Sequence, residues 1–223
     1  MWYYSAKGAR NKKNLPVFTT EYGVATLILK EIPYQETAYI ILQDTLEPLL
    51  LVRECADFCR ACGAERIYAR GNDALEKYPL FTAVWEMTCL RESIPDTDAA
   101  LWPVQEQTLT QWKDIYNQKV KTVPNGAWMT DADAKDMLSK GDGYFVHRGD
   151  TLLGIGKASA DRIDWVASVK PGAGADVVKA LIHATTEDRV SLTVASVNQK
   201  AVTLYERLGF LKTAEIARWY TIR

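Results

Sequence analysis

The sequence has few of the features that mark fibrous, disordered or membrane proteins. Among its 223 residues only 13 are Gly and 8 are Pro, and 48% are hydrophobic, so collagen-like, low-complexity and disordered chains are excluded. The longest uninterrupted apolar run, residues 38–42, has five residues, whereas a membrane-spanning helix needs about 20. We therefore expect a globular protein, built as one large domain or two small ones, with no membrane partner.

An excess of charge of either sign is also lacking. Lys and Arg number 27 against 28 Asp and Glu, for a formal net charge of -1. Nucleic acids and anionic membrane surfaces attract strongly basic proteins, so we expect neither as a partner. The start is basic, with Lys7 and Arg10, but no apolar segment with a cleavage site follows it. The expectation is a cytoplasmic protein without a secretory signal.

Histidine and cysteine are scarce, which argues against a metal site. The two histidines, His147 and His183, lie far from most of the cysteines, and the second half of a paired C-x-x-C site is missing. Cys55, Cys59 and Cys62 follow the spacing of one helical face. We expect no metal, and free thiols that are buried or half-buried.

Hydrophobic periodicity predicts an α/β (α+β) protein in two halves. The first half reads as two or three antiparallel strands and then a helix opened by a capping box of Asp44 and Glu47 with Pro48 in its first turn. Residues 91–103 have little periodicity and are the candidate linker. The second half reads as two helices, three antiparallel strands, and then alternating helices and strands. Its strands are predicted at residues 144–147, 151–158, 162–169, 190–195 and 210–222.

A glycine-containing turn is the most informative local pattern. Residues 169–176 read V-K-P-G-A-G-A-D, where a strand ends in a turn that opens directly into a helix. The first N–H groups of a helix are unpaired and carry the positive end of its dipole, so such a turn can bind a phosphate group. The Gly-Lys-Ser/Thr of a Walker loop and a G-x-G-x-x-G are both absent. An ordinary loop remains the other interpretation.

A second pattern, residues 194–210, makes the sequence resemble a known family. It reads V-A-S-V-N-Q-K-A-V-T-L-Y-E-R-L-G-F, and V-x-x-x-N-x-x-A-x-x-L-Y-x-x-x-G-F is a pattern of the GNAT superfamily of acetyl-CoA-dependent N-acetyltransferases. The resemblance covers residues 108–222. It implies a mixed, mostly antiparallel twisted sheet flanked by helices, in which the strands at 162–169 and 190–195 are parallel and splay apart to admit the pantetheine arm of acetyl-CoA.

The resemblance also implies the site residues. The CoA pyrophosphate would lie on the turn, the pantetheine arm would pair with the strand that ends near Val169, and a backbone N–H near Val169 would stabilise the oxyanion. Tyr205 stands where the family has its general acid. Asp164 is our tentative general base, and a solvent-facing carboxylate is the alternative. The cofactor-binding residues that we predict are Ser168, Val169, Lys170, Gly172, Ala173, Gly174, Ala175, Asp176, Asn198 and Tyr205.

Two positions of the turn depart from the family pattern. Lys170 lies near the basic position without matching it, and Asp176 stands where a glycine is common. A carboxylate beside a pyrophosphate repels it unless the side chain turns aside. A catalytically silent acyl-CoA-binding or regulatory module is therefore the alternative to an N-acetyltransferase, and an interaction protein that keeps only the fold is a third interpretation.

The first half contains a weaker echo of the second. Residues 69–81 resemble residues 195–210, with Asn72 and Tyr78 standing where Asn198 and Tyr205 stand. We therefore predict a degenerate GNAT-like half at residues 1–103 and a GNAT N-acetyltransferase domain at residues 104–223, with chance similarity as the alternative for the first. The acceptor is a small-molecule or peptide amine that the sequence does not identify, with Trp128, Trp165 and Trp219 as candidates for its pocket. A monomer and a homodimer are both compatible with the sequence.

Overall fold

A computed structural model describes residues 16–123 and 125–223 of the chain. The basic stretch with Lys7 and Arg10 lies outside these residues. The described chain forms two compact units: a larger one, Trp85–Glu215, and a smaller one, residues 16–84 together with Ile216–Arg223. The predicted domains, residues 1–103 and 104–223, stay a prediction.

The smaller unit is a sheet with one long helix. Its strands are hydrogen-bonded in the order β1, β2, β3, β4 and the end of β11, and β3 and β4 are parallel. A 3₁₀ turn at Asp73–Lys77 follows β4. Its elements are β1 (Val17–Thr20), β2 (Gly23–Ile28), α1 (Ile32–Gln35), β3 (Thr37–Thr45), α2 (Pro48–Ala61), β4 (Arg66–Arg70), the start of β5 (Leu80–Leu90) and the end of β11 (Leu211–Ile222).

The helix α2 begins differently from the prediction. The strand β3 continues to Thr45, with Asp44 paired to Val24 of β2, so Asp44 cannot cap the helix. Glu47 is the N-cap and makes no side-chain capping hydrogen bond. The predicted capping box is therefore wrong, because the strand uses the backbone that the box requires.

The cysteines are free thiols, as predicted, but they differ in exposure. Cys55 and Cys59 are buried on α2 against the sheet, Cys89 is buried on β5, and Cys62 is exposed just beyond the end of α2. Cys62 follows the last helical residue, where the chain leaves the packed face. The stripe of three cysteines thus ends in a solvent-accessible thiol.

The larger unit has a mixed sheet with helices on both faces. Its strands run in the order β11, β5, β10, β9, β8, β7, β6. The pairs from β6 to β9 are antiparallel, and β9 and β10 are parallel. The predicted mostly antiparallel sheet is confirmed. Its further elements are β6 (Ala100–Pro103), α3 (Leu109–Val120), α4 (Asp131–Lys140), β7 (Gly143–Arg148), β8 (Thr151–Ser159), β9 (Arg162–Ser168), α5 (Gly174–His183), β10 (Arg189–Ala195) and α6 (Gln199–Arg207).

The segment predicted as a linker contains part of this sheet. Residues 100–103 form β6, which pairs with β7 from Ala100 opposite His147 to Pro103 opposite Tyr144. A four-residue strand that ends in proline suits the outermost position of a sheet, because proline has no N–H to donate to a neighbour. Its short length hides the period-2 pattern on which sequence reasoning depends.

Two apolar clusters place the helices on opposite faces of this sheet. The helices α5 and α6 pack against Ile163, Val166, Leu192 and Val194 of β9 and β10. The helices α3 and α4 pack against a second set that includes Trp165 of β9. Trp165 and Val166 are successive residues of β9 and point to opposite faces. An irregularity in the register at residue 164 places Ile163 on the same face as Val166, so β9 separates the two clusters. No helix among the described residues is long and apolar enough to cross a membrane.

Candidate functional site

A crevice opens where the two parallel strands of the larger unit stop pairing. The strands β9 and β10 pair only at Arg162 with Ser191 and at Ile163 with Leu192. Beyond these pairs an empty space of about 480 Å³, which includes solvent at its mouth, lies between them. The splayed strands that the family resemblance implies are thus present. The crevice is lined by Val123, Ile163, Asp164, Trp165, Val166, Leu192, Thr193, Val194, Ala195, Asn198, Ala201 and Tyr205.

The backbone of β9 presents hydrogen-bonding groups toward this crevice. The N–H of Val169 donates to the carbonyl oxygen of Leu153 on β8 (2.8 Å), and the N–H of Lys170 donates to the same oxygen (3.1 Å). Antiparallel ladders alternate, so the N–H and C=O groups of Val166 and Ser168 point away from β8. The N–H of Val169 is therefore already hydrogen-bonded to β8. The backbone N–H and C=O groups that face β10 are those of Val166 and Ser168.

The glycine turn leads directly into α5 and leaves the first N–H groups of that helix without helical partners. Gly172 has φ +82°, a left-handed conformation that favours glycine. The first helical hydrogen bond joins the N–H of Val177 to the oxygen of Ala173 (3.0 Å), and Ala173 as N-cap has no side chain that accepts a bond. The N–H groups of Gly174, Ala175 and Asp176 therefore remain for an anion.

Small residues keep this turn open. A Cβ at Gly172 would have no heavy atom within 4 Å, and a Cβ at Gly174 would lie 3.1 Å from Cδ2 of Leu204 on α6. Ala173 is buried, whereas Lys170 is exposed. The turn thus offers a bare backbone surface at the end of β9, as an approaching phosphate requires.

The carboxylate of Asp176 is turned aside from the bare turn. Its Oδ2 lies 3.1 Å from a guanidinium nitrogen of Arg148 at the end of β7, and the same nitrogen lies 2.7 Å from Oδ1 of Asp98. Arg148, which Asp176 shares with Asp98, therefore offsets part of the negative charge that departs from the family pattern. Sequence reasoning missed Arg148, because the pairing joins a strand end and a helix start that are 28 residues apart.

The helix α6 brings Asn198 and Tyr205 to the crevice. Asn198 caps the helix, its Oδ1 accepting from the N–H of Ala201 (3.3 Å). Tyr205 is 7% exposed and packs near Phe210, with 5.8 Å between the ring centroids. Burial raises the pKa of the Tyr205 phenol well above its ordinary value. The phenol therefore stays protonated and is suited to donating a hydrogen bond.

Asp164 lines the crevice and is held by two cations. Its Oδ2 lies 3.3 Å from Nζ of Lys157 on β8, and its Oδ1 lies 3.2 Å from Nε of Arg162. Lys157 also lies 3.1 Å from Asp142, immediately after α4. Burial lowers the pKa of Lys157, but the two carboxylates outweigh it and raise the net value, so Lys157 stays charged. Asp164 is therefore not an unpaired carboxylate that faces solvent.

The predicted site residues therefore fall into three groups. Asp164, Asn198 and Tyr205 line the crevice, and residues 172–176 form the bare turn. On β9 and just after it, Ser168 directs its backbone groups toward β10, whereas Val169 and Lys170 donate their N–H groups to β8. Of the tryptophans considered for an acceptor pocket, Trp165 lines the crevice, and Trp219 is fully buried in the smaller unit. Within the described part of the chain no group of three or more metal-ligating side chains occurs.

The smaller unit repeats the order strand, helix, strand without a comparable opening. Its parallel strands β3 and β4 pair continuously from Thr37 with Arg66 to Ile41 with Arg70. Pro48 occupies the first turn of α2, where it removes an N–H that an anion would need. Asn72 still caps a short 3₁₀ turn by accepting from the N–H of Ala74 (2.9 Å). The arrangement of the smaller unit gives no support for a second CoA site.

Solved structures with the same fold are found, although no protein-family model and no curated protein matches the chain. A GCN5-related N-acetyltransferase from Kribbella flavida has a TM-score of 0.60 at 13% identity, over 92% of this chain and 58% of that one. A GCN5-related N-acetyltransferase from Sphaerobacter thermophilus has a TM-score of 0.55 at 10% identity, over 89% and 75%.

A conserved protein of unknown function from Staphylococcus epidermidis has a TM-score of 0.56 at 11% identity, over 93% of both chains. These likenesses concern the fold alone. The chain has the fold of the GCN5-related N-acetyltransferases, and the resemblance seen in the sequence is confirmed at that level.

Proposed function

We propose that this protein transfers an acetyl group from acetyl-CoA to a primary amine. The observation that carries the proposal is the crevice between β9 and β10, together with the turn that follows β9 and opens α5 without a side-chain cap. A fold by itself does not define an activity, so the proposal rests on the site. Where the strands splay apart, their backbone N–H and C=O groups lose each other as hydrogen-bond partners, which costs free energy. An extended ligand that pairs with these groups restores the hydrogen bonds.

The residues present fit acetyl-CoA in two places. The N–H groups of Gly174, Ala175 and Asp176 would hold the diphosphate, aided by the positive end of the α5 dipole. The N–H and C=O groups of Val166 and Ser168 would pair with the amides of the pantetheine arm, as another strand would. Arg148 keeps the Asp176 carboxylate away from the phosphate. Acetyl-CoA supplies an activated thioester carbonyl, and the chain supplies position and electrostatics.

Acetyl transfer requires that a C–N bond forms while a C–S bond breaks, and that the amine nitrogen loses a proton while the sulfur gains one. Asp164 would accept a hydrogen bond from the amine and direct its proton to water. A backbone N–H of Val166 or Ser168 would stabilise the negative charge on the carbonyl oxygen. Tyr205 would donate its hydroxyl to the departing sulfur and supply the proton that the sulfur gains, and water would then reprotonate the phenolate. The raised pKa of Tyr205 keeps the phenol protonated until that step.

A catalytically silent acyl-CoA-binding module is the second candidate. The ion pairs of Asp164 favour it, because Lys157 and Arg162 already engage both carboxylate oxygens that an acceptor amine would have to approach. In such a module the turn and crevice would still bind acetyl-CoA, but no amine would be acetylated. The two candidates therefore share a binding site and differ in turnover.

The activity is tested by incubating the full chain with acetyl-CoA and a panel of primary amines, and by quantifying acetylated product by mass spectrometry. We expect product, and we expect Tyr205→Phe to lower kcat by about tenfold to a hundredfold while leaving acetyl-CoA affinity nearly unchanged. Tyr220→Phe is the matched control, since Tyr220 is also 7% exposed but lies in the smaller unit. Binding of acetyl-CoA without any product would favour the silent module.

A further inference from the structure

One wall of the crevice lies on the side of α3 and α4, away from the turn that is proposed to hold the diphosphate. We define this acceptor wall by Val123, Asp164, Trp165 and Thr193, all of which line the crevice. Trp165 belongs to the apolar cluster of α3 and α4, and Thr193 alternates with Leu192 and Val194, which face the opposite cluster. An acceptor that enters opposite α5 and α6 meets this wall.

Asp164 is the one charged side chain among the residues that line the crevice. The neighbouring cations are already engaged: Lys157 lies between Asp142 and Asp164, and Arg162 lies between Asp164 and the Thr193 hydroxyl, which is 3.4 Å from its guanidinium. Lys157 and Arg162 pair with Asp164 but are not among the residues that line the crevice, so the charged group that a carboxylate of the acceptor would contact there is the Asp164 carboxylate. An amine would meet a hydrogen-bond acceptor.

Val123 and Trp165 form the apolar part of the acceptor wall, and the Trp165 ring is held rigidly. Trp165 is 4% exposed, and its ring packs on Tyr116 (4.3 Å between centroids) and edge-on to Trp112 (6.0 Å). Tyr116 is fixed in turn, because its hydroxyl donates to the oxygen of Ala127 (2.9 Å). A fixed aromatic ring that lines the crevice together with Val123 favours an apolar body on the acceptor.

We propose that the acceptor is a primary amine with an apolar body and without a carboxylate next to its amino group. Asp164 recognises the amino group, and Val123 and Trp165 contact the apolar body. An α-amino acid is disfavoured because its carboxylate approaches Asp164. This inference deepens the proposed function and rests on it.

The test compares phenethylamine with phenylalanine, which differ by the carboxylate beside the amino group. With acetyl-CoA and the full chain, we expect kcat/KM to be at least about tenfold higher for phenethylamine, since two like charges in a partly buried site repel. In Asp164→Asn the repulsion is removed, so the preference should narrow to about threefold or less. The binding of both compounds to the CoA complex, measured by calorimetry, provides the same comparison if Asp164→Asn has too little activity.

The outcomes separate this inference from the proposed function. Equal or better use of phenylalanine would overturn the acceptor class while the acetyl transfer itself established the activity. A preference for phenethylamine that Asp164→Asn leaves intact would also overturn the assignment, because another group would then exclude the carboxylate. Normal acetyl-CoA binding with neither amine bound or acetylated overturns the acceptor class, and loss of acetyl-CoA binding removes the proposed function and this inference together.

Discussion

The position of α5 on the sheet depends on a missing side chain at Gly156. A Cβ at this position of β8 would lie 2.7 Å from Cδ2 and 3.0 Å from Cγ of Leu181 on α5. Leu181 is fully buried, so it cannot move into solvent. The close contact between β8 and α5 therefore fixes the distance between the sheet and this helix, whose first N–H groups form the proposed phosphate site.

The size of the effect follows from packing. Gly156→Ala inserts a methyl group into a filled core, which destabilises a protein by about 1–3 kcal/mol, and alanine's greater stiffness in a strand returns about 0.5–1 kcal/mol of this. Leu181→Ala alone should cost about 2–5 kcal/mol through lost burial and the cavity it leaves. In the double variant the new methyl group occupies part of that cavity. We expect the double variant to lose at least about 1 kcal/mol less than the sum of the two single changes.

The assay is urea unfolding of the full chain, followed both by far-UV circular dichroism and by tryptophan fluorescence, with coincident curves as the condition for a single free energy. Gly156→Ala should also weaken acetyl-CoA binding, because the helix must rise from the sheet. Strictly additive free energies would refute the reasoning, since they would show that residue 156 and Leu181 do not compete for the same space.

Two further predictions concern charge and thiols. Arg148→Gln should weaken acetyl-CoA binding about threefold to fivefold and Asp176→Asn should strengthen it, because each change alters the charge next to the phosphate; both effects should shrink at high salt, which screens exposed charges. Calorimetry that finds neither change would show that the phosphate does not bind next to Asp176. Burial raises the pKa of Cys55 and of Cys59 to about 12 and that of Cys89 to about 11. At pH 8 a thiol reagent should therefore label the exposed Cys62 quickly and the other three cysteines only in denaturant. Fast labelling of more than one thiol in the native protein would contradict the burial described.

The local patterns of the sequence predicted much of the larger unit. The glycine turn ends a strand and opens a helix, as predicted, because both depend on residues that are close together in the chain. The family resemblance, rather than a local pattern, pointed to Asn198 and Tyr205, which line the crevice. The splaying of β9 from β10 came from family resemblance rather than from periodicity. The alternation of hydrophobic and polar residues along a strand predicts which side chains share a face. It does not predict where the neighbouring strand stops pairing.

Features that depend on distant residues escaped sequence reasoning. The strand β6 is defined by its pairing with β7 rather than by its own four residues. Arg148 and Lys157 are unremarkable on their strands, and only the folded chain places them beside Asp176 and Asp164. The strand β11 contributes Leu211–Glu215 to one unit and Ile216–Ile222 to the other, a division that its hydrophobic pattern does not show.

The central claim is that the turn at residues 172–176 and the crevice hold acetyl-CoA, and calorimetric titration of the full chain with acetyl-CoA tests it most directly. The account predicts micromolar binding that Gly174→Glu abolishes, because its carboxylate and bulk would occupy the bare turn beside Leu204. Ser139→Glu is the control, adding the same charge at an exposed position of α4. Absence of binding at millimolar acetyl-CoA, or binding that Gly174→Glu leaves unchanged, would contradict the account.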